Sequence, residues 1–97
     1  MCTYQTETIR VRGSGKGASG WFPVTDATVC FDHPVHALAE HTLNLDFLNP
    51  ARGAGARVAV ELDAASARRL ATAILATLDA TPPALLEGVA VDGPGVR

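Results

Sequence analysis

Lysine is almost missing from this chain: Lys16 is the only one, and the seven arginines that complete the basic set of eight are dispersed. Binding to nucleic acid needs a clustered basic surface to neutralise phosphates, and a net charge of −2 points the same way, so no nucleic-acid partner is expected. Cysteine is also scarce. Cys2 and Cys30 are the only two, too few for the disulfide framework of a secreted mini-domain. Long apolar runs are lacking as well. Nothing approaches the roughly 18 consecutive apolar residues of a membrane span. Met1-Cys2-Thr3-Tyr4-Gln5 shows no basic segment leading into an apolar one, so no signal peptide and no membrane association are expected. Reduced thiols and a cytoplasmic location follow as the default. The preference for Ala, Gly, Val and Arg over Lys, Ile and Asn hints at a GC-rich bacterial genome.

What is present suits one small globular unit. A hydrophobic content of 47% with 19% charged residues argues against wholesale disorder. At 97 residues the chain forms a single domain with a single small core, because a chain this short buries only about 60–70% of its unfolded surface. Such a core gains from association, and a homodimer is expected.

Residues 4–12 alternate, with Gln5, Glu7, Ile9 and Val11 on one side of a strand and Tyr4, Thr6, Thr8, Arg10 and Arg12 on the other. Gly13-Ser14-Gly15-Lys16-Gly17-Ala18-Ser19-Gly20 then reads as a loop, since four glycines weaken any regular element. Alternation resumes over 24–33, with Ala27, Val29, Phe31 and His33 on one side, and over 41–48, with His41, Leu43, Leu45 and Phe47 on one side. Residues 49–55 form a turn-rich connection, and Arg57 to Leu62 make a fourth strand. Asp63 is placed to cap a helix running to about Ala80, with Ala67, Leu70, Ala71, Ile74 and Leu78 as its buried stripe. Thr81-Pro82-Pro83 ends it. The expected architecture is α+β: a four-stranded antiparallel sheet with one C-terminal helix packed on one face. Residues 1–81 form the domain, and 82–97 a flexible, disordered tail.

All three histidines fall within Asp32-His33-Pro34-Val35-His36-Ala37-Leu38-Ala39-Glu40-His41. If the strands form an up-and-down meander, this stretch, Cys2 and the helix start share one end of the sheet. Gln5 and Glu7 then share that end and the side that carries the apolar residues. Neutral imidazoles ligate divalent transition metals (Zn, Fe, Mn, Ni or Cu), so His33, His36 and His41 are the candidate ligands, with a position left open for water or substrate. Glu7 or Glu40 would be a fourth ligand, or the acid/base acting on metal-bound water. Glu7 ranks first, because Glu40 is in phase with the polar side of its strand. Helix amides near Ala64, Ala65 and Ser66 would favour an anionic small molecule at the same end. The bland alternative is a set of histidines on a hydrated loop, since the spacing His-x2-His-x4-His belongs to no high-specificity metal signature.

Other signals are weaker. Gly15 to Gly20 fits the letters G-x-G-x-x-G, but Trp21-Phe22-Pro23 stands where a helix should begin. Lys16 is followed by Gly17 rather than by the Ser or Thr of a P-loop. Cys2 would offer an amine and a thiolate if Met1 were removed. Cys30 reads as a half-buried filler. Ser14 and Ser19 lack the context of an activated nucleophile.

Met1-Cys2-Thr3-Tyr4-Gln5-Thr6, Gly13-Ser14-Gly15-Lys16-Gly17, Asp32-His33-Pro34, Ala39-Glu40-His41-Thr42-Leu43-Asn44 and Asp46-Phe47-Leu48-Asn49-Pro50 together resemble a family of short actinobacterial proteins of unknown function, some of which occur near biosynthetic genes. The likeness covers roughly residues 2–80. It implies a bacterial, cytoplasmic protein with a role in small-molecule metabolism, and it brings no established active site. Two expectations result. One is a metal-binding protein, extending to a metal-dependent enzyme acting on a small metabolite. The other is a non-catalytic, homo-oligomeric binding or accessory module whose histidines are structural.

Overall fold

The computed structural model describes residues 5–87. Four strands, β1 (Gln5–Gly17), β2 (Gly20–Asp32), β3 (Thr42–Leu48) and β4 (Arg57–Leu62), form one antiparallel sheet in the order β1-β2-β3-β4. One main helix, α1 (Ala64–Asp79), lies against it, and a single helical turn, α2 (Pro83–Leu86), follows. The expected meander is therefore the observed one. The turn α2 lies at the start of the stretch expected to be flexible, and 88–97 fall outside the described residues. No helix among the described residues is long and apolar enough to cross a membrane.

Register explains which residues share a face. Gln5, Phe31, Leu43 and Leu62 form one cross-strand row, and Glu7, Val29, Leu45 and Val60 the next. Side chains alternate along a strand, so these rows lie on one face, while Thr28, Cys30, Asn44, Asp46 and Glu61 lie on the other. The polar face is tied by Arg57, whose Nε and Nη2 reach Asp46 Oδ1 at 2.8 and 2.7 Å.

The glycine-rich stretch is not a loop. It continues β1 to Gly17 and turns through Ala18 and Ser19 alone. Gly17 pairs with Gly20, whose φ of 115° closes the hairpin in a region closed to most side chains. The glycines are there because this strand is crowded. A Cβ on Gly15 would stand 3.1 Å from a Val24 methyl, and one on Gly17 would stand 3.2 Å from the Gly55 carbonyl oxygen and from the Phe22 ring. Alternation misreads such a strand because its inward side chains are missing.

Gly55 lies just ahead of β4, three strands away in the sheet order, so the distal hairpin must curl over the sheet. The bend falls at a bulge, where pairing slips between Arg10 and Gly13 and Val11 and Arg12 come to oppose Thr25. Inside the curl lies the core: Phe22, Val24 and Ala56, flanked by Val11, Phe47 and Val58. Asn49, 7% exposed, latches it. Its Nδ2 donates to the Pro23 carbonyl at 2.9 Å, its Oδ1 accepts from Ala51 N at 3.1 Å, and its own amide donates to the Ala56 carbonyl at 3.1 Å. This connection carries a 3-10 turn (Pro50–Arg52), which ends at Gly53 with φ of 89°.

The other half of the apolar face is covered less completely. Asp63 caps α1 as expected, its Oδ1 accepting from Ser66 N at 2.7 Å. Yet no residue of α1 is buried. Leu70, Ile74 and Leu78 of the expected buried stripe remain 43%, 52% and 47% exposed, and the neighbouring Leu75 is 62% exposed. Between helix and sheet runs an apolar cleft of about 410 Å³, with Val29, Leu45 and Leu62 on the sheet side and Leu70, Ala71 and Ile74 on the helix side. The helix is where the sequence places it, but it stands off from the sheet.

Candidate functional site

Asp32 and Thr42 are paired neighbours at the ends of β2 and β3, so the nine residues 33–41 form a connection at one rim of the sheet. The start of α1 shares this rim, because β4 ends there. Of the residues expected to meet there, His33 and His41 do so. Their ring centroids are 4.5 Å apart with planes inclined by 31°. The His41 ring also stacks on Phe31, with centroids 6.0 Å apart and planes at 14°. Phe31 belongs to the row facing α1, so this three-ring column stands on the helix side of the rim. His33 Nδ1 lies 3.1 Å from the Glu40 carbonyl, a bond across the mouth of the loop that a protonated Nδ1 makes. Asp32 Oδ1 accepts from the His33 amide at 2.7 Å.

His36 is held differently. The residue that organises the middle of the loop is Glu61, on the polar face of β4. Its Oε2 accepts from Val35 N at 2.5 Å, and its Oε1 accepts from His36 N and Ala37 N at 3.0 Å each. Three consecutive amides thus converge on one carboxylate, as they do in a backbone anion nest. Pro34 precedes them and has no N–H of its own, so the run of donors starts cleanly at Val35. These amide bonds hold the Glu61 carboxyl below its ordinary value of 4.5, with a smaller contribution from the nearby His36 ring. Glu61 gave no sign of this role in the sequence. The only available clues were its position near the rim end of β4 and the run of amides that follows a proline.

The expected carboxylates lie apart from this arrangement. Glu7 is an exposed residue of the edge strand and accepts from Gln5 Nε2 at 3.0 Å. Glu40 is exposed, and it is its backbone carbonyl that engages His33. Among the described residues no three His, Cys, Asp or Glu side chains form a group arranged to hold a metal ion. The helix amide expected to receive an anion is occupied by the chain's own acid. Asp63 takes the Ser66 amide, and this bond, aided by the Ser66 hydroxyl and by Arg69, lowers its carboxyl from the ordinary 3.8. Cys30, half-buried on the polar face between Thr6 and Asn44, fits its reading as a filler. Cys2 lies outside the described residues.

Fold and rim together define a small α+β domain, an antiparallel meander with one amphipathic helix and a histidine-bearing connection laced to a carboxylate on the last strand. The chain belongs to DUF6295, a family of unknown function whose model matches residues 1–87. This is in keeping with its resemblance to short proteins of unknown function. No curated protein and no solved structure matches it.

Proposed function

We propose that this protein is a non-catalytic binding or accessory module that works as a homo-oligomer, with histidines that shape the rim loop. The observation that carries this reading is the convergence of the Val35, His36 and Ala37 amides on Glu61. Polar groups that would otherwise receive a ligand are spent on holding the loop, and the His33 and His41 rings are packed against each other and Phe31. On this reading the rim is a rigid edge for contact in a bacterial cytoplasm rather than a reaction centre. The test is Glu61→Gln with His36→Ala beside it. Glu61→Gln is expected to lower the thermal midpoint and to speed amide exchange at 35–37, while His36→Ala leaves both near wild type. The reverse pattern overturns the reading.

A second reading is favoured by the closeness of His33 and His41: a divalent transition ion bound at the rim. Two neighbouring imidazoles supply half of a tetrahedral shell. After a turn of the His36 ring, His36 would be the third ligand and Glu7 or Glu40 the accompanying carboxylate, so that the protein would act on a small anionic metabolite. Elemental analysis of purified protein separates the two readings. Stoichiometric Zn, Fe, Mn, Ni or Cu that is lost on His36→Ala and His41→Ala supports the metal. Protein without metal, whose melting is unchanged by chelator, supports the module.

A further inference from the structure

The cleft beneath α1 is where the fold is incomplete. Protein interiors pack to the density of organic crystals, with few voids larger than a water. Here about 410 Å³ stands open, lined from the helix by Ala67, Leu70, Ala71 and Ile74 and from the sheet by residues that include Val29 and Leu45. Leu70 and Ile74 owe part of their exposure to this open space. Ala67 and Ala71, four residues apart on the same helix face, leave the room.

Size decides between occupants. One turn of a second helix, about 10 Å across and 5.4 Å long, already takes roughly 400 Å³, so a helix of several turns cannot enter between the walls. At the ~30 Å³ that a water molecule takes in the liquid, the space holds about 14 non-hydrogen atoms. That is a small molecule, and the volume lies within the range of small-molecule pockets, about 300–1,000 Å³.

Charge gives the polar end of that molecule. Arg68 is the only charged residue in the lining, and it is exposed. Its neighbour Arg69 donates to Ser66 Oγ at 3.1 Å, whereas Arg68 pairs with no acid among the described residues. Glu7, opposite Val29 in the sheet, accepts from Gln5 and stays out of the lining. The adjoining cavity of about 380 Å³, which shares Phe47, repeats the bias. Arg12 and Lys16 are its charged residues, and neither has an acidic partner among the described residues. In a chain of net charge −2, both cavities thus present positive charge alone. A lone guanidinium matches one singly charged, fork-shaped group, which is a carboxylate.

We propose that the helix–sheet cleft binds a small amphiphilic carboxylate of about 12–16 non-hydrogen atoms, its apolar body between Leu45 and Ile74 and its carboxylate on Arg68. The proposal names a ligand class for the binding module and rests on that reading, but its site is separate from the rim loop. Glu61→Gln should leave binding at the cleft near wild type, so a failure at the rim and a failure at the cleft are seen separately.

The test is calorimetric titration of the full chain with dodecanoate below its micelle threshold, beside dodecyltrimethylammonium. Saturable one-to-one binding of dodecanoate is expected, with Kd on the order of 10–100 μM. The cationic amphiphile should bind about tenfold more weakly or worse. Arg68→Glu should weaken dodecanoate about tenfold or more and reverse that order. Ala71→Phe fills the cleft and should abolish binding with circular dichroism unchanged, and Ala67→Leu gives the same reading should the first variant misfold. A wild-type chain without saturable binding overturns the proposal, as does equal affinity for the two amphiphiles or a filled cleft that binds as before. An Arg68→Glu variant that keeps wild-type affinity overturns the placing of the carboxylate.

Discussion

The two ends of this sheet use similar sequence to opposite effect. At the distal end the β1–β2 hairpin curls over the start of β4 and closes on Phe22, Val24 and Ala56, all under a tenth exposed. At the rim end the same face carries Val29, Leu45 and Leu62, but its cover is a helix that stands away and leaves a cleft of about 410 Å³. The difference lies in the covering element. A strand of alternating glycines approaches its neighbour closely, because no Cβ intervenes. A helix with leucine and isoleucine on its inner side cannot come as near, and Leu70, Ile74 and Leu78 stay more than two-fifths exposed. Stability should therefore concentrate at the curled end, and recognition at the helix.

The sharpest way to break that contrast is to truncate one large side chain in each region. Phe22→Ala should cost about 3–5 kcal/mol in denaturant unfolding. Leu75→Ala, on α1 at a residue 62% exposed, should stay within about 0.5 kcal/mol. Similar losses at the two sites would end the contrast.

Asn49→Ala comes next. It leaves the Pro23 carbonyl and the Ala51 amide without their partner, and should cost about 1–3 kcal/mol. Amide exchange should then quicken first across 49–56, because that connection loses its latch. Gly53→Ala should lose about 1 kcal/mol, since φ of 89° is strained for any residue with a Cβ. A Tm equal to wild type would show that the connection relaxes freely.

The smallest effect concerns pH and belongs to the rim. Glu61 and Asp63 both titrate below their ordinary values of 4.5 and 3.8 in the folded chain. The folded state therefore favours their charged forms. Their contribution is fully present above the unfolded values and is lost as pH falls through the lowered folded ones. Melting followed from pH 6 down to pH 3 should show this decline, and Glu61→Gln should flatten it. An unchanged slope in Glu61→Gln would mean that the three amide bonds contribute nothing to folding.

Several elements were legible because their patterning is local. The fourth strand, Arg57–Leu62, occupies the residues its alternation indicates, and α1 runs from the residue after the Asp63 cap to Asp79, one short of Ala80. The meander order was a supposition about how the strands connect, and the pairing β1-β2-β3-β4 agrees with it. The hairpin through Gly13 and Gly17 was missed, because glycine signals freedom in isolation, whereas here it permits contact with residues far along the chain. Glu61 was missed for a related reason. A carboxylate on a strand's polar face looks like an ordinary hydrated charge until a loop 24 to 26 residues away brings it three amides. At the rim, the clustering of histidines was visible as spacing. That His33 and His41 share a ring column with Phe31, while the His36 amide is held by Glu61 on the other face, depends on how the loop crosses the sheet edge.

Taken alone, then, the amino-acid order determined the antiparallel sheet, the capped helix, the apolar face and the rim that holds the histidines. All of these arise from side-chain periods of two and about 3.6 residues and from caps acting within one turn. Tertiary structure alone decided that the glycine strand curls over β4, that α1 keeps its stripe exposed, and that Glu61 gathers the loop amides. Each of these is a contact between residues distant in sequence, set by how closely two surfaces can approach, and no local period encodes that distance.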